Sequence, residues 1–162
     1  MNLINLIIIS LASIMMQEPN QVSRNNMEVS WKYDAQRIWI EMSAPTDGWL
    51  AIGFNESQEI TGNYLLMGRV RDGRAELVEY RTIAAGNYQS ITQLGGSIQI
   101  ADVEGEESGD TTSIKFSLPL EAVDRYRKDL TQGNEYVLLL AFSREDDFQH
   151  HSMMRTSIEI NL

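Results

Sequence analysis

The stretch Ala44–Phe54, A-P-T-D-G-W-L-A-I-G-F, constrains the fold more than any other part of the sequence. Pro45, Asp47 and Gly48 form a turn, because proline presets φ, aspartate hydrogen-bonds to nearby backbone and glycine tolerates positive φ. The next six residues carry almost no polar atom and are too few for a typical helix. They predict a strand that begins at Trp49 and is covered on both faces.

Alternating polarity and turn signals predict the other strands. Asp72-Gly73 is the clearest hairpin turn, because a tight primed turn needs residues with φ > 0. Gly53, in the middle of its strand, predicts a bulge or the close approach of another group. The predicted strands are Glu28–Tyr33, Arg37–Met42, Trp49–Phe54, Tyr64–Val70, Ala75–Arg81, Ser97–Val103, Thr111–Leu118, Glu135–Ser143 and a last strand that runs to Leu162.

Four segments between these strands have other assignments. Gln17–Asn26 is a polar link, Thr82–Gly96 is a surface excursion, and Glu104–Asp110 is a solvated acidic loop. Pro119–Leu130 predicts one short helix, with proline at its first position and an acidic residue in its first turn. About nine strands with frequent turns and one short helix predict an all-β fold, an antiparallel immunoglobulin-like β-sandwich.

Composition excludes several classes of protein. The chain has 162 residues, enough for one domain with a core, and a formal net charge of −10, which disfavours binding to nucleic acid. It contains no cysteine, so disulfides, thiolate metal sites and covalent c-type haem attachment are all excluded. Any haem must be held non-covalently.

The N-terminus predicts export. The apolar run Leu6–Ala12 has the length of a signal-peptide core and is too short to span a bilayer. No Lys or Arg precedes it and no clean A-x-A site precedes Gln17, so a short membrane anchor or a buried first strand are the alternatives. We expect residues 1–17 to be a signal peptide and residues 27–162 an extracytoplasmic domain, periplasmic or secreted, without a stable membrane span in the mature chain.

The turn, the G-W-L-A-I-G-F strand, the polar loop and the second apolar strand together resemble the opening of a DOMON domain. The resemblance covers most of Glu28–Leu162, and Phe148–Arg155 lies where this family places a histidine before its last strand. It implies an extracytoplasmic β-sandwich that binds haem, as in the cytochrome portion of cellobiose dehydrogenase, or sugars. It also implies a binding module that is not an enzyme by itself.

The same resemblance implies candidate haem ligands. His151, or its neighbour His150, matches the family's axial histidine, and only one of them is expected to point inward if both lie on a strand. The family's axial methionine falls on Ile60, which cannot ligate iron. Met67 is the nearest alternative, but on a continuous strand it faces the side opposite to position 60, and a core role is favoured for it.

Three functions are therefore predicted as alternatives. The first is a haem b module that exchanges electrons with a partner protein, and the second is a carbohydrate-binding module that uses Trp31 and Trp39 for stacking. The third is a protein-interaction domain without a small ligand. The histidines have a purely structural alternative, hydrogen bonding to Asp146 or Asp147, and these four residues match the spacing of no defined metal site. No hydrolase, phosphate-binding or dinucleotide-binding motif appears in the sequence.

Overall fold

Eleven strands make up residues 20–162, the part of the chain that this computed structural model describes. The strands are β1 (Asn20–Arg24), β2 (Met27–Tyr33), β3 (Arg37–Ala44), β4 (Leu50–Asn55), β5 (Tyr64–Arg71), β6 (Arg74–Ala84), β7 (Asn87–Ser90), β8 (Ala101–Ser108), β9 (Thr111–Pro119), β10 (Glu135–Phe142) and β11 (Met154–Asn161). One sheet has the order β1-β2-β3-β9-β8 and the other the order β11-β10-β4-β5-β6-β7, with antiparallel neighbours throughout. The predicted antiparallel sandwich is confirmed.

The N-terminal prediction falls outside this range. The expected signal peptide, residues 1–17, precedes the first described residue. Within residues 20–162, no helix is long and apolar enough to cross a membrane.

Strand β4 lies in the middle of the six-stranded sheet, between β10 and β5. All six of its residues are buried, as the apolar run predicted, although the strand begins at Leu50 and not at Trp49. Gly53 has regular partners on both sides and forms no bulge. A Cβ at this position would lie 2.3 Å from Asn63 Oδ1, so the close approach is confirmed.

The hydrophobic core consists of two clusters. The larger lies between the sheets and takes the inward residues of both, among them Ile40, Ile52, Leu66, Phe116 and Leu138. The smaller lies on the outer face of the six-stranded sheet and contains Trp49, Ala51, Leu65, Met67, Ala141 and Phe148. The two clusters together explain why β4 is apolar on both faces.

The Asp72-Gly73 hairpin is confirmed as the turn between β5 and β6, with φ values of 51° and 70°. A second turn of the same kind was not predicted. Asn25 and Asn26, with φ values of 50° and 64°, join β1 to β2. Asparagine tolerates positive φ better than most residues, which makes Asn-Asn suitable for a primed turn.

Two strands lie in segments that were not assigned to strands. Strand β1 occupies half of the expected polar link, and it is an edge strand in which Val22 alone packs against the core. Strand β7 lies inside the expected excursion Thr82–Gly96 and pairs with the end of β6. Short edge strands with mostly exposed side chains lack the apolar alternation on which the prediction depended.

The expected acidic loop Glu104–Asp110 was also wrong, because most of it belongs to β8. The predicted strand Ser97–Val103 begins four residues later, at Ala101. Strand β8 is an edge strand with largely exposed side chains. At such an edge, carboxylates remain solvated and discourage pairing with another chain.

The predicted helix Pro119–Leu130 is wrong, since residues 20–162 contain no helix. Pro119 ends β9, and a loop follows in which Leu130 N donates to Leu120 O across 2.7 Å. Asp129 Oδ1 accepts from Ala122 N at 2.6 Å, a side-chain bond to backbone that competes with helical bonds.

A buried ion pair fixes this loop. Arg127 Nε donates to Glu79 Oε1 on β6 at 2.7 Å, and Arg127 Nη2 donates to Glu79 Oε2 at 2.9 Å. Tyr64 adds a hydroxyl bond of 2.6 Å to Glu79 Oε1, and Gln99 N adds a bond of 3.1 Å to Glu79 Oε2. Since Arg127 also donates to Ser97 O, the network explains why the segment before β8 departs from the predicted strand.

Candidate functional site

A cavity of about 160 Å³ lies on the outer face of the six-stranded sheet, beneath the segment 143–153 that connects β10 to β11. Its apolar lining consists of Trp49, Ala51, Ile60, Leu65, Met67, Leu139, Ala141 and Phe148. Its polar lining includes Thr82, Tyr88, Gln149, His150, His151, Ser152 and Arg155. An apolar hollow with a few polar groups at its margin is the usual form of a small-molecule site.

Small residues of β4 produce the hollow. Ala51 lies between Met67 on β5 and Ala141 on β10, so one row across three strands reads Met-Ala-Ala. Gly53 lies between Leu65 and Leu139 in the next row. Because Ala51 and Ala141 carry only methyl groups on this face, the surface is low there, whereas Asn63 Oδ1 occupies the space above Gly53. One face of the G-W-L-A-I-G-F strand therefore packs into the core, and the opposite face lines the cavity.

Phe148 covers the hollow. Its side chain is only 8 % exposed, and its carbonyl accepts a hydrogen bond from the Tyr88 hydroxyl on β7. The guanidinium of Arg69 lies 4.6 Å from the centre of the Phe148 ring and donates to Asp146 O at 2.6 Å. The covering segment is therefore attached to the sheet at two points beside the cavity.

Two tyrosine hydroxyls beside the covering segment, those of Tyr88 and Tyr80, are held in their protonated form. Burial raises the pKa of Tyr88, and the nearby Asp147 carboxylate raises it further. Burial likewise raises the pKa of Tyr80, whose ring packs edge-on against Tyr88 at 5.0 Å between centroids. Tyr88 therefore keeps the proton that it donates to the covering segment.

Both predicted histidines border the cavity. His150 and His151 are exposed and belong to the connecting segment, not to a strand. The expectation that only one of them points inward held for two residues on a strand, and it does not apply to these residues because they lie in a turn. Their main chain is anchored, with His150 N bonded to Asp147 O at 2.9 Å and Ser143 Oγ bonded to His151 O at 3.2 Å.

Met67 and Ile60 also meet at this cavity. Met67 is 3 % exposed and belongs to the outer apolar cluster, in agreement with the core role that was favoured for it. The expectation that Met67 lies on the side opposite to position 60 assumed a continuous strand, and in the structure both residues line one hollow. Residue 60 precedes β5 in a loop, so strand alternation does not relate the two positions.

The aspartates near the histidines form no recognisable metal centre. Within the described residues, no group of three or more His, Cys, Asp or Glu side chains is positioned to hold a metal ion. Asp147 Oδ1 instead accepts from Gln149 N at 2.9 Å, which shapes the turn before the histidines.

The tryptophans are divided between the two sides of the sandwich. Trp31 is 5 % exposed and lies in the core, so it cannot stack on a sugar. Trp39 is partly exposed on the five-stranded sheet, where its Nε1 donates to Asp34 Oδ2 at 2.8 Å and Lys115 Nζ lies 5.9 Å from its ring. Trp49 is buried at the cavity.

Three residues of the site were not predicted from the sequence. Tyr88 lies in the segment whose internal structure was unassigned, and Arg69 and Phe148 carry no motif of their own. Only the turn signal Gly86-Asn87 pointed to a strand near Tyr88, and it gave no sign that this strand lies beside the cavity.

Comparison with solved structures places this architecture among cytochrome domains. The cytochrome b domain of pyranose dehydrogenase from Coprinopsis cinerea superposes with a TM-score of 0.67 at 9 % identity, covering 87 % of this chain and 80 % of that one. The cytochrome domain of cellobiose dehydrogenase from Myriococcum thermophilum gives a TM-score of 0.53 at 11 % identity, covering 89 % and 81 %. At these identities the likeness shows a shared fold.

No curated protein matches the sequence significantly. The DOMON domain family matches residues 23–143, which include the G-W-L-A-I-G-F strand and every strand from β2 to β10. The resemblance inferred from the sequence is confirmed: the chain belongs to the DOMON domain family.

Proposed function

We propose that this chain is an exported DOMON module that binds haem b non-covalently in the cavity above β4 and exchanges electrons with a partner protein. The observation that carries the proposal is the meeting of His150, His151 and Met67 at one apolar cavity. The fold it shares with two cytochrome domains supports the choice of ligand. The module itself catalyses no reaction in this proposal.

The donor set and the lining suit a haem. Imidazole is a common axial ligand of haem iron, and an apolar wall limits water near the metal. His150 and His151 are exposed enough to turn towards a ligand, whereas Met67 is packed into the sheet. We assign the protein ligand to one of the histidines and the apolar floor to Met67 and Ile60. When bound, haem supplies one-electron chemistry.

Because the cavity is small, binding of a haem requires a change in the segment that covers it. A volume of about 160 Å³ is below the 300–1,000 Å³ that is typical for drug-sized ligands. Phe148 is the side chain that covers the space. Binding of a porphyrin therefore requires Phe148 and its segment to move outward, which breaks the Tyr88 hydrogen bond.

A second candidate function is carbohydrate binding on the opposite sheet. It rests on Trp39, the one tryptophan that is partly exposed, with Lys115 and Asp34 fixing its ring. Replacing Trp39 by alanine should abolish binding to any glycan that the parent retains, without changing binding at the cavity. Equal glycan binding by parent and Trp39→Ala would exclude this surface.

The proposal is tested by titrating the full chain with hemin. Saturation at one hemin per chain, with a shifted Soret band that depends on protein, is the expected result. Absence of any protein-dependent shift would exclude haem and leave sugar binding or protein interaction as the alternatives.

A further inference from the structure

A second, more polar groove adjoins the cavity on the same face of the sandwich. Its volume is about 450 Å³, and it lies between the loop that precedes β5 and the edge strand β11. It shares Ile60, Leu139 and Arg155 with the cavity, so the two spaces lie side by side. A ligand seated in the cavity can therefore extend into this groove.

Two arginines converge on the groove from different sheets. Arg24 ends β1 and Arg155 lies near the start of β11. The chain has a formal net charge of −10, so a cationic side chain is more often expected beside carboxylates than beside another cation. The meeting of two arginines in one groove is therefore not expected from composition alone.

Within residues 20–162, no ion pair neutralises either arginine. Among residues 20–162, the ion pairs involve Arg69, Arg127 and Lys128, and the side chains of Arg24 and Arg155 take part in none of them. Two guanidinium groups against the one carboxylate of Glu59 give the groove a net positive lining, and each guanidinium can bind a carboxylate with two parallel hydrogen bonds.

We propose that Arg24 and Arg155 form an anion subsite that binds the carboxylates of the ligand seated in the adjacent cavity. The inference rests on the proposed function of that cavity. The chemistry required of the ligand is an apolar or ring-shaped body with a carboxylate at one end. The propionate groups of a porphyrin and the uronate groups of an acidic oligosaccharide both satisfy it.

The remaining groove residues define a control. Glu59 lies on the same groove and partly opposes an anion, whereas Ser57 and Asn63 are neutral. Removing the Glu59 charge should therefore strengthen binding of a carboxylate while the two arginines are retained. If the subsite works by charge, binding of a carboxylate must weaken when an arginine is replaced and strengthen when the Glu59 charge is removed.

The experiment compares hemin with its dimethyl ester, in which both propionates are blocked, by titration monitored at the Soret band. The variants are Arg24→Gln, Arg155→Gln, their double variant and Glu59→Gln, with Arg74→Gln at the start of β6 as a matched loss of an exposed arginine. Uronate and neutral oligosaccharides, followed by tryptophan fluorescence, form the second arm. Thermal unfolding of each variant checks the fold.

For the porphyrin, we expect each arginine variant to weaken hemin binding roughly threefold to tenfold, in the range of solvent-accessible charged contacts. Glu59→Gln should tighten it, Arg74→Gln should leave it unchanged, and the ester should bind all variants equally. The loss should shrink as salt is added. If the uronate arm alone shows this pattern, the carboxylate source is a sugar.

Two negative outcomes are distinguishable. Hemin binding that is identical in parent and double variant would overturn the anion subsite and leave the haem proposal standing. Failure of hemin to bind any form, together with binding of uronates that depends on the arginines, would overturn the haem proposal and leave the subsite. If the arginine variants lose as much affinity for the dimethyl ester as for hemin, that result would also contradict a contact with the carboxylates.

Discussion

The hydroxyl of Tyr88 on β7 donates a hydrogen bond to the main-chain carbonyl of Phe148, and this bond ties the cover of the cavity to the edge of the sheet. The bond joins residues that are far apart in sequence, so it can break without disturbing either strand next to the core. Together with the bond from Arg69 to Asp146 O, it holds the covering segment against the sheet.

Tyr88→Phe removes this bond and keeps the ring that packs against Tyr80. We expect faster uptake of hemin, roughly fivefold to tenfold, because one hydrogen bond contributes about 1 kcal/mol to holding the cover. Stopped-flow absorbance at the Soret band measures the rate. Tyr80→Phe is the control, and a Tyr88→Phe rate no faster than that control would show that the cover does not limit uptake.

Ile60→Met tests the assignment of the iron ligands by adding a second possible ligand at the cavity. In the parent, one histidine is the only protein ligand proposed, so the ferric complex should be largely high-spin and should bind cyanide readily. Methionine at position 60, which borders the same cavity as the histidines, should convert part of the complex to a low-spin form. Ile60→Leu is the matched control, and a low-spin spectrum already present in the parent would contradict the assignment.

The ion pair between Glu79 and Arg127 should dominate the stability of the loop that replaces the predicted helix. Both side chains are 4 % exposed, and Glu79→Gln leaves the buried Arg127 guanidinium with Asp124 as its only ion-pair partner among the described residues. We expect the free energy of unfolding to fall by about 3–5 kcal/mol. Urea unfolding measures it.

Glu76→Gln supplies the comparison for that measurement. It breaks the pair with Arg69, in which the Glu76 side chain is 50 % exposed, and should cost about 0–1 kcal/mol. Similar losses in the two variants would show that burial of the Glu79 pair has no special effect.

Tyr33 should make the fold sensitive to alkali. Burial raises the pKa of its hydroxyl to about 12, above the usual 10.0 of a tyrosine. The folded state therefore holds this proton more tightly than the unfolded chain, so its contribution to stability is complete below pH 10 and is lost as the pH rises towards 12. Tyr33→Phe should reduce the fall in stability across this window, as measured by urea unfolding at pH 9 and pH 11.5. An unchanged fall would contradict this account.

The strands that build the cavity floor could be predicted from sequence because each is strongly apolar. Trp49–Phe54 had no polar residue before Asn55 and proved to be covered on both faces, and the apolar run within Glu135–Ser143 became β10, whose outer residues Val137 and Leu139 are partly buried. The helix failed because its prediction used local signals alone, whereas Arg127 bonds to Glu79, which lies 48 positions away in the sequence. Pairings across such separations leave no periodic pattern.

In the candidate site, as in the fold, local patterns could be predicted and contacts between distant segments could not. The resemblance identified His150, His151 and the position of Ile60, and all three border the cavity. The sequence could not show that Met67 shares it, because that depends on the path of the loop before β5. Tyr88 and the two arginines of the groove could not be predicted, since edge-strand pairing and sheet-to-sheet packing bring them there.

The most direct test of the haem proposal is the Soret titration of His150→Ala, His151→Ala and the double variant against Gln149→Ala, a neutral change in the same exposed turn. We predict that one single variant and the double variant lose the protein-dependent Soret shift, while Gln149→Ala and the other single variant keep it. A double variant that binds hemin with the spectrum and affinity of the parent would contradict the proposal that a histidine of this turn holds the iron.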